Sequence, residues 1–252
     1  MKMMTRTTVF TVALASLAPA FAQTVTPATA DEKPKWESSA AAGLTLTRGN
    51  SESVLASVGL KAERKWDVNE VKLGLDGLYG KTKIADEPET KSAESLMGFG
   101  QYNRLFNEQL YGFLRVEALH DGIAAIKYRL TVSPGAGYYF IKNKQTELNA
   151  EVGPGFIYEK TDEGEDTYVT LRLAENFKHS LNDHVRIWQK AEVLPQVDDF
   201  ANYILNFEAG IEADIAKNLS FQSKIIDTYD NQPVPGRKCN DLKWINSISY
   251  RF

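Results

Sequence analysis

The chain has 252 residues, of which 43% are hydrophobic, 25% charged and 11% aromatic, with a formal net charge of -4. That apolar share supports a folded domain, and the mild acidity offers no basic face to a nucleic-acid backbone. The lone Cys239 excludes an intrachain disulfide and any multi-thiolate metal site, and a mean hydropathy of -0.34 argues against a bundle of membrane helices.

The first element, residues 1–22, reads as a signal peptide. Lys2 and Arg6 give a positive start, and Val9 to Leu17 form an apolar run too short to anchor in a bilayer. Pro19-Ala20-Phe21-Ala22 then carries the small-x-small pattern of a signal-peptidase site. No cysteine follows the cleavage point, which argues against a lipid anchor, and loss of Lys2 and Arg6 leaves the mature chain more acidic. Residues 23–35, rich in Thr, Ala and Pro, read as a flexible periplasmic tail.

From Trp36 onward the pattern has a period of two, which sends apolar and polar side chains to opposite faces of a strand. Tyr203, Leu205, Phe207, Ala209 and Ile211 alternate with Asn206, Glu208, Gly210 and Glu212, and Leu242, Trp244, Ile248 and Tyr250 with Lys243, Ser247, Ser249 and Arg251. About twelve strands are predicted, near 37–48, 51–65, 70–82, 92–105, 109–119, 128–140, 146–158, 167–177, 185–194, 203–214, 220–229 and 241–252. Strands this long exceed the globular norm of about five or six residues and suit a tilted crossing of a bilayer. Short polar turns near 67–69, 107–108, 142–144, 181–183 and 216–218 alternate with longer loops near 83–91, 120–127, 159–166, 195–202 and 230–240. The tight Arg48-Gly49-Asn50-Ser51 corner is a short connection on the long-loop side. The expectation is an all-β, antiparallel up-and-down transmembrane barrel over residues 36–252, with the N-terminus and short turns on the periplasmic side.

Three features favour a membrane barrel over a soluble one. Aromatic residues cluster at two depths: Phe106, Tyr111, Phe140, Phe177 and Phe221 beside short turns, and Tyr79, Tyr128, Phe156, Tyr158, Tyr168, Tyr203 and Tyr229 beside long loops. The ending Tyr250-Arg251-Phe252 resembles the C-terminal signal by which the barrel-assembly machinery recognises its clients, with Phe252 as its terminal aromatic. Twelve long strands also exceed what a small soluble barrel needs. Strand four (Leu96, Met97, Phe99, Tyr102) does not alternate cleanly, and Glu175 and Asp227 fall on nominally apolar faces.

If the apolar face meets outer-membrane lipid, the lumen receives Lys61, Lys72, Asp76, Arg115, Glu117, Arg129, Glu147, Glu151, Arg172, Arg186, Lys190, Glu192, Glu208, Glu212, Lys224, Lys243 and Arg251. These residues would line a narrow water-filled pore for a small solute or ion, or pack into a polar plug that conducts nothing. The near-balance of signs leans toward the plug, because buried charges need partners.

Motifs for catalysis are sparse. His179-Ser180 is the nearest thing to a Ser/His pair, as in an outer-membrane lipid-modifying enzyme, but adjacent strand residues point to opposite faces and no third member lies nearby. With His120 and His184 the only other histidines, no metal-ligand spacing exists. Gly135-Ala136-Gly137 and Gly153-Pro154-Gly155 precede no helix and so are not phosphate loops; with Pro134 and Pro154 they predict a shared bulge or kink in a hairpin. Asp86-Glu87 and the Glu163-Gly164-Glu165-Asp166 loop read as solvated charge before they read as cation sites. No catalytic, cofactor or metal residues are assigned.

Thr45-Leu46-Thr47-Arg48-Gly49-Asn50-Ser51 resembles the opening of the family catalogued as domain of unknown function 481, whose members are often labelled salt-induced outer-membrane proteins. Ser133-Pro134-Gly135-Ala136-Gly137-Tyr138-Tyr139, followed by Glu151-Val152-Gly153-Pro154-Gly155, is similar to that family's central glycine-rich hairpin. The resemblance runs from about Trp36 to Phe252 and implies an outer-membrane barrel of unassigned task, linked to salt or envelope stress, with no catalytic residues to carry over. The leading expectation is therefore a narrow channel or structural envelope protein. A lipid-modifying enzyme and a soluble periplasmic β-barrel binding protein stand as alternatives.

Overall fold

The computed structural model describes residues 35–47, 51–84 and 88–252. The signal-peptide region, the tail up to residue 34, the corner at 48–50 and the acidic pair Asp86-Glu87 lie outside the described residues. Twelve strands follow in chain order: β1 Glu37–Thr47, β2 Ser51–Trp66, β3 Asn69–Ile84, β4 Thr90–Leu105, β5 Leu110–Asp121, β6 Ile126–Lys142, β7 Thr146–Thr161, β8 Glu165–Ser180, β9 Val185–Pro195, β10 Tyr203–Ala216, β11 Leu219–Asp230 and β12 Asn240–Arg251. Each pairs antiparallel with its chain neighbours, and β12 returns to β1 to close the barrel.

The period-two pattern decides which face points out. Along β12, Leu242, Trp244, Ile248 and Tyr250 are exposed while Ile245, Ser247 and Ser249 are buried. The same parity in the other strands sends Leu44, Leu46, Val58, Leu60, Leu73, Leu75, Leu114, Val116, Leu130, Val152 and Ile225 outward as an exposed apolar belt. Left in water, a continuous belt of this kind would be a severe aggregation hazard; in hydrocarbon it is the required surface, and closure leaves few backbone groups unpaired. The molecule is a transmembrane β-barrel. Strand four alternates after all: Leu96 and Tyr102 face out, whereas Phe99 turns in beneath the Arg115 guanidinium, 4.1 Å from its ring centroid. Glu175 and Asp227, the charges that fall on nominally apolar faces, are each partnered, Gln189 Nε2 donating to Glu175 at 2.8 Å and Asn240 Nδ2 to Asp227 at 2.9 Å.

Three short turns share one device. The side-chain oxygen of Asn107 accepts the backbone N–H of Gln109 and Leu110, Asn143 does the same for Gln145 and Thr146, and Asn182 for His184 and Val185. An Asn at this position closes the chain on itself without a long loop. The β2–β3 turn instead uses Asp67 at φ 48°, a left-handed conformation that Asp tolerates.

At the opposite end the strands run past their predicted limits, so the connections at 122–125 and 162–164 are short rather than long. Most of the extra residues are polar on both faces, the buried Ile126 being an exception. Lys160 Nζ and the Tyr158 hydroxyl both donate to the Glu165 carboxylate, and the Lys160 bond holds its pKa below the usual carboxylate range. The genuinely long loops, 196–202 and 231–239, lie side by side, with Asn231 Nδ2 donating to the Ala201 carbonyl at 2.6 Å.

Two expectations are corrected. Pro134 and Pro154 make no bulge: pairing runs in one register from Val132↔Phe156 to Ala136↔Val152 and is only interrupted between, while the register shifts sit at Ile126/Tyr128 and Tyr139/Ile141. Proline supplies no ladder donor, and the glycines let the backbones close in; a Cβ on Gly153 would lie 2.1 Å from the Pro134 carbonyl oxygen. Tyr111 and Tyr168 are not girdle residues. Tyr111 is fully buried in the lumen, and Tyr168 shares the inward parity of Thr170 and Arg172. The outward rings near the short turns include Phe106, Phe140, Phe177 and Phe221, joined by Arg64, whose guanidinium lies over Trp36 and Trp66 at 5.9 and 5.6 Å.

Candidate functional site

The lumen has two unlike sides. On the wall from β3 to β8 it is packed solid. Glu151, 4% exposed, accepts hydrogen bonds from Gln101 Nε2 at 2.7 Å, the Tyr111 hydroxyl at 2.9 Å and Arg172 Nη1 at 2.8 Å. Arg172 also reaches Glu192 at 2.6 Å, and its guanidinium carbon lies 5.4 Å from the Phe113 ring centroid. Nearer the short turns, Glu70 accepts from Asn103 Nδ2, the Tyr139 hydroxyl and Lys142 Nζ at 3.1, 2.8 and 2.9 Å. The Tyr111 and Tyr139 rings lie 4.9 Å apart between the two acidic centres. Each buried carboxylate thus has a cation and neutral donors around it, the condition under which a charge can be held away from water. A cavity of about 10 Å³ among Arg115, Glu117, Ser133 and Arg172 has room for about one water.

The wall from β9 through β12 and β1 to β2 is looser around Lys61 and Lys190, although Ser220, Gln222, Lys224, Ile245, Ser247 and Ser249 on it are buried. Lys61 is exposed although it lies midway along β2 and points inward, its Nζ 5.4 Å from the Trp188 ring centroid on β9, near the opposite wall. Lys190, 40% exposed at its side chain, pairs with Glu208 at 3.2 Å, and Trp188 Nε1 donates to the same carboxylate at 2.7 Å. Toward the short turns Arg186 and Arg251 share Glu212 and Asp214. A cavity of about 430 Å³ opens at that mouth beside Lys144, Asp183 and Arg186.

Longer side chains tether one wall to the other. Lys65 reaches Glu147 at 3.5 Å, Lys178 reaches Glu63 at 3.7 Å, Lys224 reaches Asp76 at 2.9 Å, Lys243 reaches Asp121 at 3.3 Å and Arg129 reaches Asp230 at 3.7 Å. Arg129 also pairs with Glu159, and Arg115 with Glu117 at 2.6 Å. Of the seventeen charged candidates read from the sequence, Lys61 and Lys72 make no ion pair among the described residues. The partners absent from that reading include Glu63, Lys65, Glu70, Asp121, Lys142, Glu159 and Lys178. All lie toward strand ends, where the apolar neighbours that mark parity thin out. Tyr111 carried a usable signal, since it shares odd numbering with Arg115 and Glu117 on one strand.

His179 does not join Ser180: its Nδ1 lies 2.8 Å from Thr146 Oγ1 and its ring stacks on Phe177. Cys239 is free and exposed in the last loop.

The family model described as protein of unknown function, DUF481, matches residues 40–252, the whole barrel from early β1 to the final phenylalanine. The chain belongs to this family. No curated protein matches it. Among solved structures, the NanC porin superposes with a TM-score of 0.52 at 8% identity, covering 86% of this chain and 100% of that one. An outer-membrane channel from Pseudomonas putida F1 gives 0.51 at 10% identity, covering 88% and 97%. At such identities the likeness is one of fold, that of an outer-membrane β-barrel, which is also the setting its apolar belt requires.

Proposed function

We propose that this DUF481 member is a narrow outer-membrane channel for small ions with a preference for anions, and that the looser side of the lumen is its path. The observation that carries this reading is Lys61: a side chain enclosed by the barrel wall at mid-height, facing Trp188, and still exposed. Lys72 on β3, at the border of the packed side and likewise without an ion pair among the described residues, adds positive charge, and positive charge along a path favours anions. In this reading the N-terminus and short turns face the periplasm, Phe252 is read by the assembly machinery, the belt meets outer-membrane lipid and the barrel performs no catalysis.

Planar-bilayer recording of refolded protein tests it. Discrete small conductance steps are expected, with a reversal potential favouring chloride in a potassium chloride gradient. Lys61→Glu with Lys72→Glu should move that potential toward cation preference. A silent, fully folded barrel would overturn the channel and leave the structural envelope role, which the packed β3–β8 side favours.

A further inference from the structure

The barrel is closed unevenly. Neighbouring strands elsewhere share between eight and sixteen register pairs. β1 and β12 share four, from Ser39↔Arg251 to Ala42↔Ile248. Beyond Ala42, β1 continues to Thr47 paired only with β2, and β12 from Asn240 to Ser247 is paired only with β11. The ladder stops where a side chain on Gly43 would meet the Asn246 carbonyl oxygen at 2.3 Å. Past that point two strand edges face each other without a ladder, in the half of the barrel away from the chain's C-terminus.

The gap is apolar on its outer side, and on its inner side Ile245 stands between the inward-facing Lys243 and Ser247. Its outer lips carry Leu44, Leu46, Leu242 and Trp244 at 65%, 62%, 68% and 68% exposure, continuous with the membrane-facing belt. Behind it, inside the barrel, Ile245 of β12 is buried in a cluster with Leu78 of β3 and Ala93 of β4, with Leu55 and Ile226 packed against them. This apolar layer is separate from the Tyr111–Phe113–Tyr139 cluster nearer the short turns. At membrane depth, free strand edges are costly unless something satisfies them, and an apolar lumen layer offers nothing to ions or sugars.

We propose that the β1–β12 gap is a lateral entry by which an acyl chain of a membrane lipid passes from the bilayer to the Leu55–Leu78–Ile226–Ile245 layer, its polar head meeting the free strand edges. The occupant is bilayer lipid because the lips Leu44, Leu46, Leu242 and Trp244 are continuous with the membrane-facing belt. The proposal does not depend on ion conduction.

The test places the photo-crosslinking residue p-benzoylphenylalanine at Ile226 in a Cys239→Ser background, refolded in vesicles of palmitoyl-oleoyl phosphatidylethanolamine and phosphatidylglycerol. Leu44→Cys with Asn246→Cys, opposite each other if the Ala42↔Ile248 register were continued, lets an oxidant close the gap. Illumination should give a phospholipid adduct in the reduced protein that is lost on oxidation. Equal adduct in both states, or none in either, would overturn the proposal. Hydrogen exchange on the unaltered chain in the same vesicles supplies an independent reading. Alternate amides of 44–47 and 243–247 should exchange well before those of 39–42 and 248–251, and equal protection would mean a zipped seam and no entry.

Discussion

The two sides of the lumen are built from similar residues and behave differently. From β3 to β8, Glu70, Glu151 and Arg172 are almost wholly buried, and each meets aromatic hydroxyls, amides or a facing ring as well as an opposite charge. From β9 round to β2, Lys61 and Lys190 remain open to water and their contacts are single or shared. Charge alone does not make a plug. Neutral donors and rings must fill the space between charges, and the β3–β8 wall supplies them as Tyr111, Phe113, Tyr139, Gln101, Asn103 and Asn149.

The largest way to break the contrast is to remove one buried charge from the packed side. Glu151→Leu deletes the acceptor of three hydrogen bonds and leaves Arg172 with Glu192 alone, so a loss of about 3–5 kcal/mol is expected. The midpoint of urea unfolding, followed by loss of the heat-modifiable gel band, measures it; a change within error would mean that the network is wet. A smaller loss, about 1–3 kcal/mol, is expected for Gly153→Ala, because the new methyl meets a backbone carbonyl that cannot rotate away. On the looser side Lys61→Ala should leave unfolding within about 0.5 kcal/mol of the parent while changing conductance, since no ion pair is lost.

The barrel itself is legible because a lipid-facing strand must alternate, as Tyr203 to Ile211 does and as Leu242 to Tyr250 does except at Ile245 and Asn246. Where strands leave the membrane both faces become polar, so Glu159, Lys160, Glu165 and Asp166 carry no periodic signal and those strand ends were read as loop. The inward charges could be assigned to a face but not to partners. Lys224 and Asp76, or Lys178 and Glu63, are far apart in sequence and meet only because the sheet closes. The aromatic rims misled for a related reason. Position along a strand gives depth but not face, and Tyr111 sits at girdle depth with lumen parity.

The finest test of the contrast concerns the tethers between the two walls, and Lys243 is the cleanest to cut. Its Nζ reaches Asp121 Oδ2 from β12 to β5, while Asp121 Oδ1 separately accepts the N–H groups of Ile123 and Ala124. Lys243→Met therefore leaves Asp121 with partners and keeps the length of the inward side chain. Asp121 is buried and Lys243 only partly exposed, but Asp121 keeps its two backbone donors, so the lost bond is worth about 0.5–1.5 kcal/mol and unfolding should move little. If the looser side is a path, removing a bar across it should raise single-channel conductance or its noise at nearly unchanged stability. If instead the variant unfolds as readily as Glu151→Leu, the tether is part of one packed body, and the division of the lumen into two sides fails.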